Sequence, residues 1–366
     1  RLYVIAQDRL LVIDPLSLKL VKTVNVGGRM GAAALTADGK FLYVSNPELH
    51  AVVVIDTAMS RVIDLVRVGK NPGSPVLLSP NGKTVWVRSE DAVSVIEAAS
   101  RKRLATIPVG NAAPHVQGST GASGGMAFAP VGKSWRVYVT NPKEDTVTAI
   151  DAEGYIAVAT IPVGRDPRFG IVYSKLSGRV YVANPGSQDI SVIDVSTNRV
   201  VKTIPLPLKG FAGIAITNDG RFLFLDSRHS RGGGDSQIVV DTSTDSVVTT
   251  IDIRPEGTST PANPSRLVFT PDGRWGIAIL KTSPNVAVID LGALRVHKTI
   301  ALTPLRDKVL YRCSVTLSPD GRTAYITSAV EETITVIDIP TLAVRSVMRT
   351  NAPTCGMVYV QSPGRP

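Results

Sequence analysis

The sequence predicts an all-β protein, a single β-propeller of four-stranded antiparallel blades that fills residues 1–366. The first observation is an internal repeat of about 40–50 residues, the length of one propeller blade. The second is composition, because each repeat contains short runs rich in β-branched and aromatic residues, which favour strands. The third is the Asp-Gly and Asn-Gly dipeptides between these runs, which supply the positive φ of a tight hairpin.

The repeat is clearest at Arg136–Gly164. An opening strand, Arg136–Asn141, is followed by a second strand, Thr146–Asp151, and then by a third, Ala157–Val163, which stops at a glycine. A fourth strand precedes each opening strand and ends at the Asp-Gly or Asn-Gly turn. The opening strand recurs eight times, at Leu2–Ala6, Phe41–Asn46, Thr84–Ser89, Arg136–Asn141, Arg179–Asn184, Phe222–Ser227, Trp275–Leu280 and Thr323–Ser328.

The two ends of the chain complement each other. The chain starts at an opening strand of the repeat, which is the second strand of a blade when strands are counted outward from the channel. It ends with an unpaired innermost strand, Gly356–Gln361. Joining that strand to the three strands of Leu2–Val26 completes a blade and removes a sheet edge. The prediction is therefore eight blades, or seven if the irregular segment Ser227–Ile251 is not a blade.

The charge of the chain favours anionic partners. The formal net charge is +10, which suits nucleic acid, a phospholipid surface, a cell-wall polymer or an acidic small ligand. A basic but inert surface is the alternative, because the lysines and arginines are scattered rather than in a dense block. No apolar run is long enough to span a membrane, and no signal segment is present. The start at Arg1, almost inside a strand, fits a mature chain that has lost its leader.

The predicted loops are unequal on the two faces of the propeller. One face receives the short Asp-Gly and Asn-Gly turns. The other receives the long insertions, and long loops on one face of a rigid scaffold are the usual carriers of function. The insertions are Asn111–Gly125, Asp226–Gln237, Ile253–Pro264 and Leu302–Arg312.

Four arginines are predicted near one mouth of the channel, at the starts of innermost strands. Arginine suits bidentate recognition of carboxylate or phosphate, so these residues predict a site for an anionic ligand. The alternative is that each pairs with a local acid, as Asp166 would with Arg168. The four are Arg29, Arg168, Arg266 and Arg312.

Other reactive residues fall on the same face. His115 lies in a Gly/Ser-rich insertion that leads to an innermost strand, which makes it the candidate catalytic or ligand-binding histidine. His50 and His229 share the face, but they come from separate blades without metal-ligand spacing, so we assign no metal site. Cys313 and Cys355 occupy equivalent places in neighbouring blades and are further candidates for the site. They form a disulfide, two free thiols, or a catalytic or metal-binding pair.

The aspartates of the recurring Ile-Asp pairs are predicted to be structural. A residue needed once for chemistry would not recur in most blades, so these side chains are expected to accept backbone N–H groups in turns. The sequence contains no Gly-x-Ser-x-Gly, P-loop, His-Glu-x-x-His or dinucleotide-binding motif. Their absence leaves propeller enzymes open, because such sites are assembled from single residues on many blades.

Two motifs carry a family resemblance. Tyr-Val-Thr-Asn at 138–141, with Val-Ile-Asp partners and Ser-Pro-Asp-Gly at 318–321, resembles the YVTN-repeat β-propellers, which are related in fold to YncE-type and surface-layer proteins. The resemblance implies a protein exported to the periplasm or the cell exterior, in a family that is commonly seven-bladed. Eight blades are instead similar to haem d1 and quinoprotein propellers, although the sequence has no Cys-x-x-Cys-His and no repeated tryptophan docking motif.

Four functions follow as hypotheses. The first is an exported, monomeric binding protein whose loop-rich face holds an anionic small molecule, polymer or protein partner. The second is a lactonase-like hydrolase or a lyase with His115 as the acid/base and channel arginines stabilising an oxyanion. The third is binding of single-stranded nucleic acid, and the fourth a propeller with a haem d1 or quinone cofactor. The sequence names no cofactor and does not decide whether the protein is an enzyme.

Overall fold

The computed structural model describes residues 1–112, 124–168, 170–207, 211–227, 234–256, 262–281, 283, 285–302, 312–354 and 356–360. These residues form an all-β fold of eight four-stranded antiparallel sheets, arranged as an eight-bladed β-propeller. The described part of the chain contains no helix long and apolar enough to cross a membrane. The predicted fold class is confirmed.

The strands follow the repeat along the chain. The first three are β1 (Leu2–Ala6), β2 (Arg9–Ile13) and β3 (Leu20–Asn25). Blade 2 contains β4 (Ala33–Leu35), β5 (Phe41–Asn46), β6 (Ala51–Asp56) and β7 (Arg61–Arg67). Blade 3 contains β8 (Val76–Leu78), β9 (Thr84–Arg88), β10 (Ala92–Glu97) and β11 (Arg103–Pro108). Blade 4 contains β12 (Met126–Val131), β13 (Ser134–Asn141), β14 (Thr146–Asp151) and β15 (Ile156–Pro162).

The second half of the chain continues the pattern. Blade 5 contains β16 (Gly170–Ser174), β17 (Arg179–Asn184), β18 (Asp189–Asp194) and β19 (Arg199–Pro205). Blade 6 contains β20 (Phe211–Ile216), β21 (Phe222–Ser227), β22 (Ser236–Asp241) and β23 (Ser246–Asp252). Blade 7 contains β24 (Pro264–Phe269), β25 (Trp275–Leu280), β26 (Asn285–Asp290) and β27 (Arg295–Ala301). Blade 8 contains β28 (Arg312–Leu317), β29 (Thr323–Ser328), β30 (Thr333–Asp338) and β31 (Ala343–Arg349), and the last strand is β32 (Met357–Tyr359).

Blade 1 is completed as predicted. Its strand order is β3-β2-β1-β32, so the C-terminal strand supplies the innermost position. The Arg1 ammonium donates to the Val360 carbonyl at 2.7 Å, and the Val360 N–H donates to the Arg1 carbonyl at 2.8 Å. The alternative of seven blades is wrong, because the irregular segment after Ser227 continues into β22 and β23 of a four-stranded sheet.

The burial of the strands explains which segments of the repeat are rich in apolar residues. The second and third strands of a sheet have apolar neighbours on both faces and are buried almost throughout, as in β5 and β6. The outermost strands are edges, and most of their side chains are exposed, as in β7 and β19. The near-continuous apolar runs of the repeat are therefore the middle strands of each blade, and the mixed runs are its edge.

The recurring aspartates close turns, and this prediction is confirmed. Asp194 accepts the N–H of Thr197 at 2.8 Å, and Asp56 accepts that of Met59 at 2.7 Å. Asp14, Asp151, Asp290 and Asp338 make equivalent bonds. The glycines of the other turns have the positive φ that the hairpins require, 70° at Gly39 and 69° at Gly321.

The tyrosine of the repeat ties one blade to the next. In the buried interior, the Tyr3 hydroxyl donates to the Thr57 carbonyl at 2.8 Å. The Tyr43 hydroxyl donates to the Ala98 carbonyl at 2.9 Å. Each tyrosine lies on the second strand of one blade, and its acceptor lies in a turn of the following blade. The repeated tyrosine is thus a contact between blades, which periodicity alone does not show.

The glycine that ends the third strand of the repeat is required by close packing against the following blade. A Cβ atom at Gly110 would lie 2.6 Å from the Cβ of Asn141, and one at Gly164 would lie 2.6 Å from Nδ2 of Asn184. Both asparagines end the second strand of the following blade. Only glycine allows the backbone of one blade to approach the next blade this closely. The glycine of one blade and the asparagine of the following blade therefore form a single repeated contact.

The chain divides into two compact units. The first comprises residues 1–173, 178–203 and 360–366, and the second comprises residues 174–177 and 204–359. The first unit has apolar cores between successive blades, such as the cluster around Trp86, Phe128 and Val139. The second has a core around Trp275, Ile326 and Ile337.

Candidate functional site

One position near the end of the opening strand holds a different kind of residue in blade 3. In blade 2 it is Ser45, whose hydroxyl accepts the Ala32 N–H and donates to the Gly73 carbonyl, both at 2.9 Å. In blade 4 it is Thr140, whose hydroxyl accepts the Gly125 N–H at 2.7 Å. These hydroxyls fix the approaches to the innermost strands. In blade 3 the same position is occupied by a charged residue, Arg88, at the end of β9.

Arg88 is completely buried. Its Nη2 donates to the Gly110 carbonyl at 2.6 Å, whereas its Nε and Nη1 have no hydrogen-bond partner in the described part of the chain. Burial lowers the pKa of the guanidinium to about 10, and Glu144 and Asp91 oppose this shift. Arginine stays protonated at neutral pH, so the first unit contains a buried positive charge with two donors that have no partner among the described residues.

Both ends of the insertion 111–125 lie beside Arg88. At one end, the Gly110 carbonyl accepts the Arg88 hydrogen bond. At the other end, a Cβ atom at Gly124 would lie 3.3 Å from the Arg88 Nε. The absence of a side chain at Gly124 therefore leaves room for the guanidinium, where blades 2 and 4 place a small hydroxyl.

Polar groups surround this arginine. Glu144 fixes the start of the insertion, since its Oε1 accepts the Asn111 N–H at 3.1 Å and the Asn111 Nδ2 at 2.8 Å. Asn141 donates to Thr148 at 2.8 Å, but its buried Oδ1 has no partner among the described residues. Within the described part of the chain, Arg88 thus has two unpaired donors and Asn141 has an unpaired acceptor, close to the two ends of the insertion 111–125.

The predicted arginines have separate surroundings. In the first unit, the exposed Arg29 lies 3.9 Å from Glu48 (Nε to Oε1). Arg168 donates through Nε to both carboxylate oxygens of Asp166, at 2.6 and 2.7 Å. These two arginines therefore have local carboxylates, which is the alternative that the sequence left open.

Arg266, in the second unit, is exposed to water, yet desolvation by the surrounding protein lowers the pKa of its guanidinium. His115 and Cys355, and the side chains of Arg312 and Cys313, lie outside the described residues.

The other histidines among the described residues, His50 and His297, each have a local contact. The His50 Nδ1 accepts the N–H of Asn71 at 3.1 Å. His297 lies on β27, and its ring is 4.6 Å from that of Trp275. The described residues contain no group of three or more His, Cys, Asp or Glu side chains placed to hold a metal ion.

Sequence reasoning missed Arg88 because it searched the long insertions and the starts of the innermost strands. A signal was nevertheless present. When the opening strands are aligned, this position is a small residue in four blades (Ser45, Thr140, Ala183 and Thr327), isoleucine in two, Asp226 in blade 6 and Arg88 in blade 3. Asp226 accepts a hydrogen bond from Gln237 of its own blade, so Arg88 is the charged residue at this position that departs from a local structural role.

The comparisons with known proteins agree on the fold. No family model matches the chain, and no curated protein matches its sequence. The dihydro-haem d1 dehydrogenase NirN, solved in complex with DHE, is 16% identical over 98% of this chain and 75% of its own, with a TM-score of 0.75. Apo AztD from Citrobacter koseri is 15% identical over 98% of this chain and 96% of its own, with a TM-score of 0.69.

A third solved structure, hydrazine synthase from Kuenenia stuttgartiensis, is 22% identical over 72% of this chain and 76% of its own, with a TM-score of 0.55. At these identities the likeness shows a shared β-propeller fold. The resemblance to the YVTN-repeat and YncE-type propellers stays a prediction.

Proposed function

We propose that this protein is a ligand-binding propeller that holds an anionic ligand on the face bearing its long insertions, with Arg88 as the principal anion-binding group. The observation that carries the proposal is the buried Arg88 guanidinium, with Nε and Nη1 unpaired among the described residues. An unpaired buried charge is costly, whereas the serine or threonine found at this position in blades 2 and 4 satisfies its neighbours without a charge.

The ligand group that fits is a carboxylate or a phosphate. Nε and one Nη of a guanidinium form a planar pair of donors that matches two oxygens of such an anion. The unpaired Asn141 Oδ1 would accept a hydroxyl or N–H of the same ligand. The net charge of +10 adds long-range attraction for any anion.

The setting of the protein belongs to the same proposal. The resemblance to exported propellers supports a periplasmic or extracellular location. NirN, which shares the fold, was solved with the ligand DHE bound, so a propeller of this kind is compatible with an organic ligand. Arg168 and Arg266 remain predicted contributors at the starts of innermost strands.

The test is ligand-induced stabilisation of three proteins: the wild type, Arg88→Met, and the control Arg29→Met, which removes an exposed arginine. The anions are phosphate, sulfate, citrate and a single-stranded oligonucleotide. We expect one small anion to raise the unfolding free energy of the wild type and of Arg29→Met by about 2–3 kcal/mol at one hundred times its Kd. Arg88→Met should lose this effect.

Two outcomes contradict the proposal. The first is equal stabilisation of Arg88→Met and the wild type. The second is stabilisation by the oligonucleotide alone, with affinity that falls steeply with salt, which would favour nucleic-acid binding instead.

A further inference from the structure

A cavity lies between the turns of blades 7 and 8, wholly within the second unit. Its volume is about 440 Å³, within the range of small-molecule sites. The turns that line it join β24 to β25, β28 to β29 and β30 to β31. These turns lie at the opposite end of the sheets from the long insertions, so the cavity is separate from the Arg88 site.

An aromatic stack forms one wall. The Arg274 guanidinium carbon lies 4.5 Å from the centroid of the Trp275 ring, and the His297 ring lies 4.6 Å from it at an interplanar angle of 38°. The indole is thereby held between a cation and an imidazole and is almost completely buried. Ile339 and Pro340 add apolar surface to the cavity.

Among the described residues, three cations in the cavity wall have no direct ion pair with a carboxylate. Arg274, Lys298 and Arg322 make no ion pair within 4.0 Å among the residues that the structure describes. The long side chains of these residues come from two turns and from β27, and all of them reach the same cavity. All three are exposed to water, and each of them would attract an anion bound in the cavity.

The two acids of the cavity are already used by their own turns. The Asp272 Oδ1 accepts the Arg274 N–H at 3.0 Å and the hydroxyl of Thr270. The Asp320 Oδ1 accepts the Arg322 N–H at 3.0 Å and a serine hydroxyl in the same way. Their carboxylates close hairpins and keep their charge: the pKa of each is lowered first by its turn hydroxyl and to a smaller extent by Arg274 or Arg322, without a direct ion pair within 4.0 Å among the described residues.

Asp338 is the remaining acid near this cluster. Its pKa is lowered first by the Thr341 hydroxyl and to a smaller extent by the charge of Arg322. The Asp338 Oδ2 accepts the N–H of Thr341 at 3.0 Å, so it too closes a turn. Arg322 is attracted to this carboxylate without forming an ion pair with it.

We propose that this cavity binds a small phosphate monoester with an apolar or aromatic body. The phosphate would lie between Lys298 and Arg322, with Arg274 contributing from the tryptophan stack, because these groups supply charge-assisted donors from several directions. The body would lie against Ile339 and Pro340. The proposal does not depend on the function assigned to Arg88.

The test is isothermal titration calorimetry with three matched probes: 1-naphthyl phosphate, inorganic phosphate, and 1-naphthylmethylamine, which carries the same body with a cation. We expect 1-naphthyl phosphate to bind at least tenfold more tightly than inorganic phosphate and the amine not to bind. Lys298→Gln and Arg322→Gln should each weaken 1-naphthyl phosphate at least tenfold. Arg295→Gln, which removes an exposed arginine from the same strand, should change its Kd less than twofold.

The outcomes separate the two proposals. The titrations are carried out on the wild type and in the Arg88→Met background, where phosphate binding at Arg88 is removed, so failure at either site is read independently. The inference is overturned if 1-naphthyl phosphate does not bind at millimolar concentration, if the amine binds equally well, or if Arg295→Gln weakens binding as much as Arg322→Gln. Equal affinity for inorganic phosphate would remove the apolar part of the proposal, and with it the assignment of a monoester.

Discussion

Replacing Arg88 by methionine tests whether its buried charge is kept for a ligand. Methionine keeps a long apolar stem and removes the charge. Burial lowers the pKa of Arg88 to about 10, well below the usual range of arginine, which corresponds to a folding penalty of about 3 kcal/mol. Both the folded and the unfolded chain are protonated at neutral pH, so the penalty is present in full there and declines only as the pH rises above about 10.

The substitution also removes a contact. The hydrogen bond from Arg88 Nη2 to the Gly110 carbonyl, at 2.6 Å, is lost, at a cost of about 1–2 kcal/mol. The expected net effect is a gain of about 1–2 kcal/mol in the unfolding free energy, together with loss of the anion-induced stabilisation. A more stable protein that no longer binds is the result expected when a charge serves function rather than folding.

The assay is urea denaturation at pH 7, read as a shift of the midpoint at constant slope. Arg136→Met is the matched control, because the Arg136 Nη1 donates to Val195 and Asn198 at 3.0 Å, and its loss should lower stability by about 1–2 kcal/mol. If Arg88→Met is instead destabilised as much as Arg136→Met, the Arg88 charge is compensated within the fold. The reasoning that assigns it to a ligand is then refuted.

Three further predictions concern the repeat. Tyr43→Phe should lower the unfolding free energy by about 1 kcal/mol, because the Ala98 carbonyl loses its buried donor; no change in the thermal midpoint would contradict a role between blades. Gly110→Ala should cost about 1–3 kcal/mol, since its Cβ would overlap the neighbouring asparagine, whereas Gly292→Ala, whose nearest neighbour is 3.4 Å away, should be nearly neutral by the same measurement. The pKa of Asp194 is lowered from 3.8 by hydrogen bonds from the Ser196 hydroxyl and the next residue, so its contribution is complete above pH 4 and is lost as the pH falls below that value. Asp194→Asn should therefore reduce the acid dependence of stability between pH 5 and 2, and an unchanged pH profile would show that this turn carries none of it.

Much of the architecture was determined by the sequence alone. The repeat of β-branched strands with glycine turns has few solutions other than stacked four-stranded blades, and an Ile-Asp pair stands at the end of the third strand in six of the eight blades. Such local patterns specify strands and hairpins because the interactions that form them lie close together in the chain. The closure through the Arg1 and Val360 backbones was also readable, because an incomplete blade at each end leaves edges that pair with each other.

Only the tertiary structure decided what individual repeat positions do. The partners of Tyr43 and Gly110 lie in the following blade, tens of residues away, and no periodicity identifies them. Arg29 and Arg168 looked alike in sequence, yet each has a local carboxylate, whereas Arg88 lies in a strand of ordinary pattern and is buried without an ion pair among the described residues. Charge, unlike strand propensity, takes its meaning from all the groups around it in space, and folding determines which groups those are.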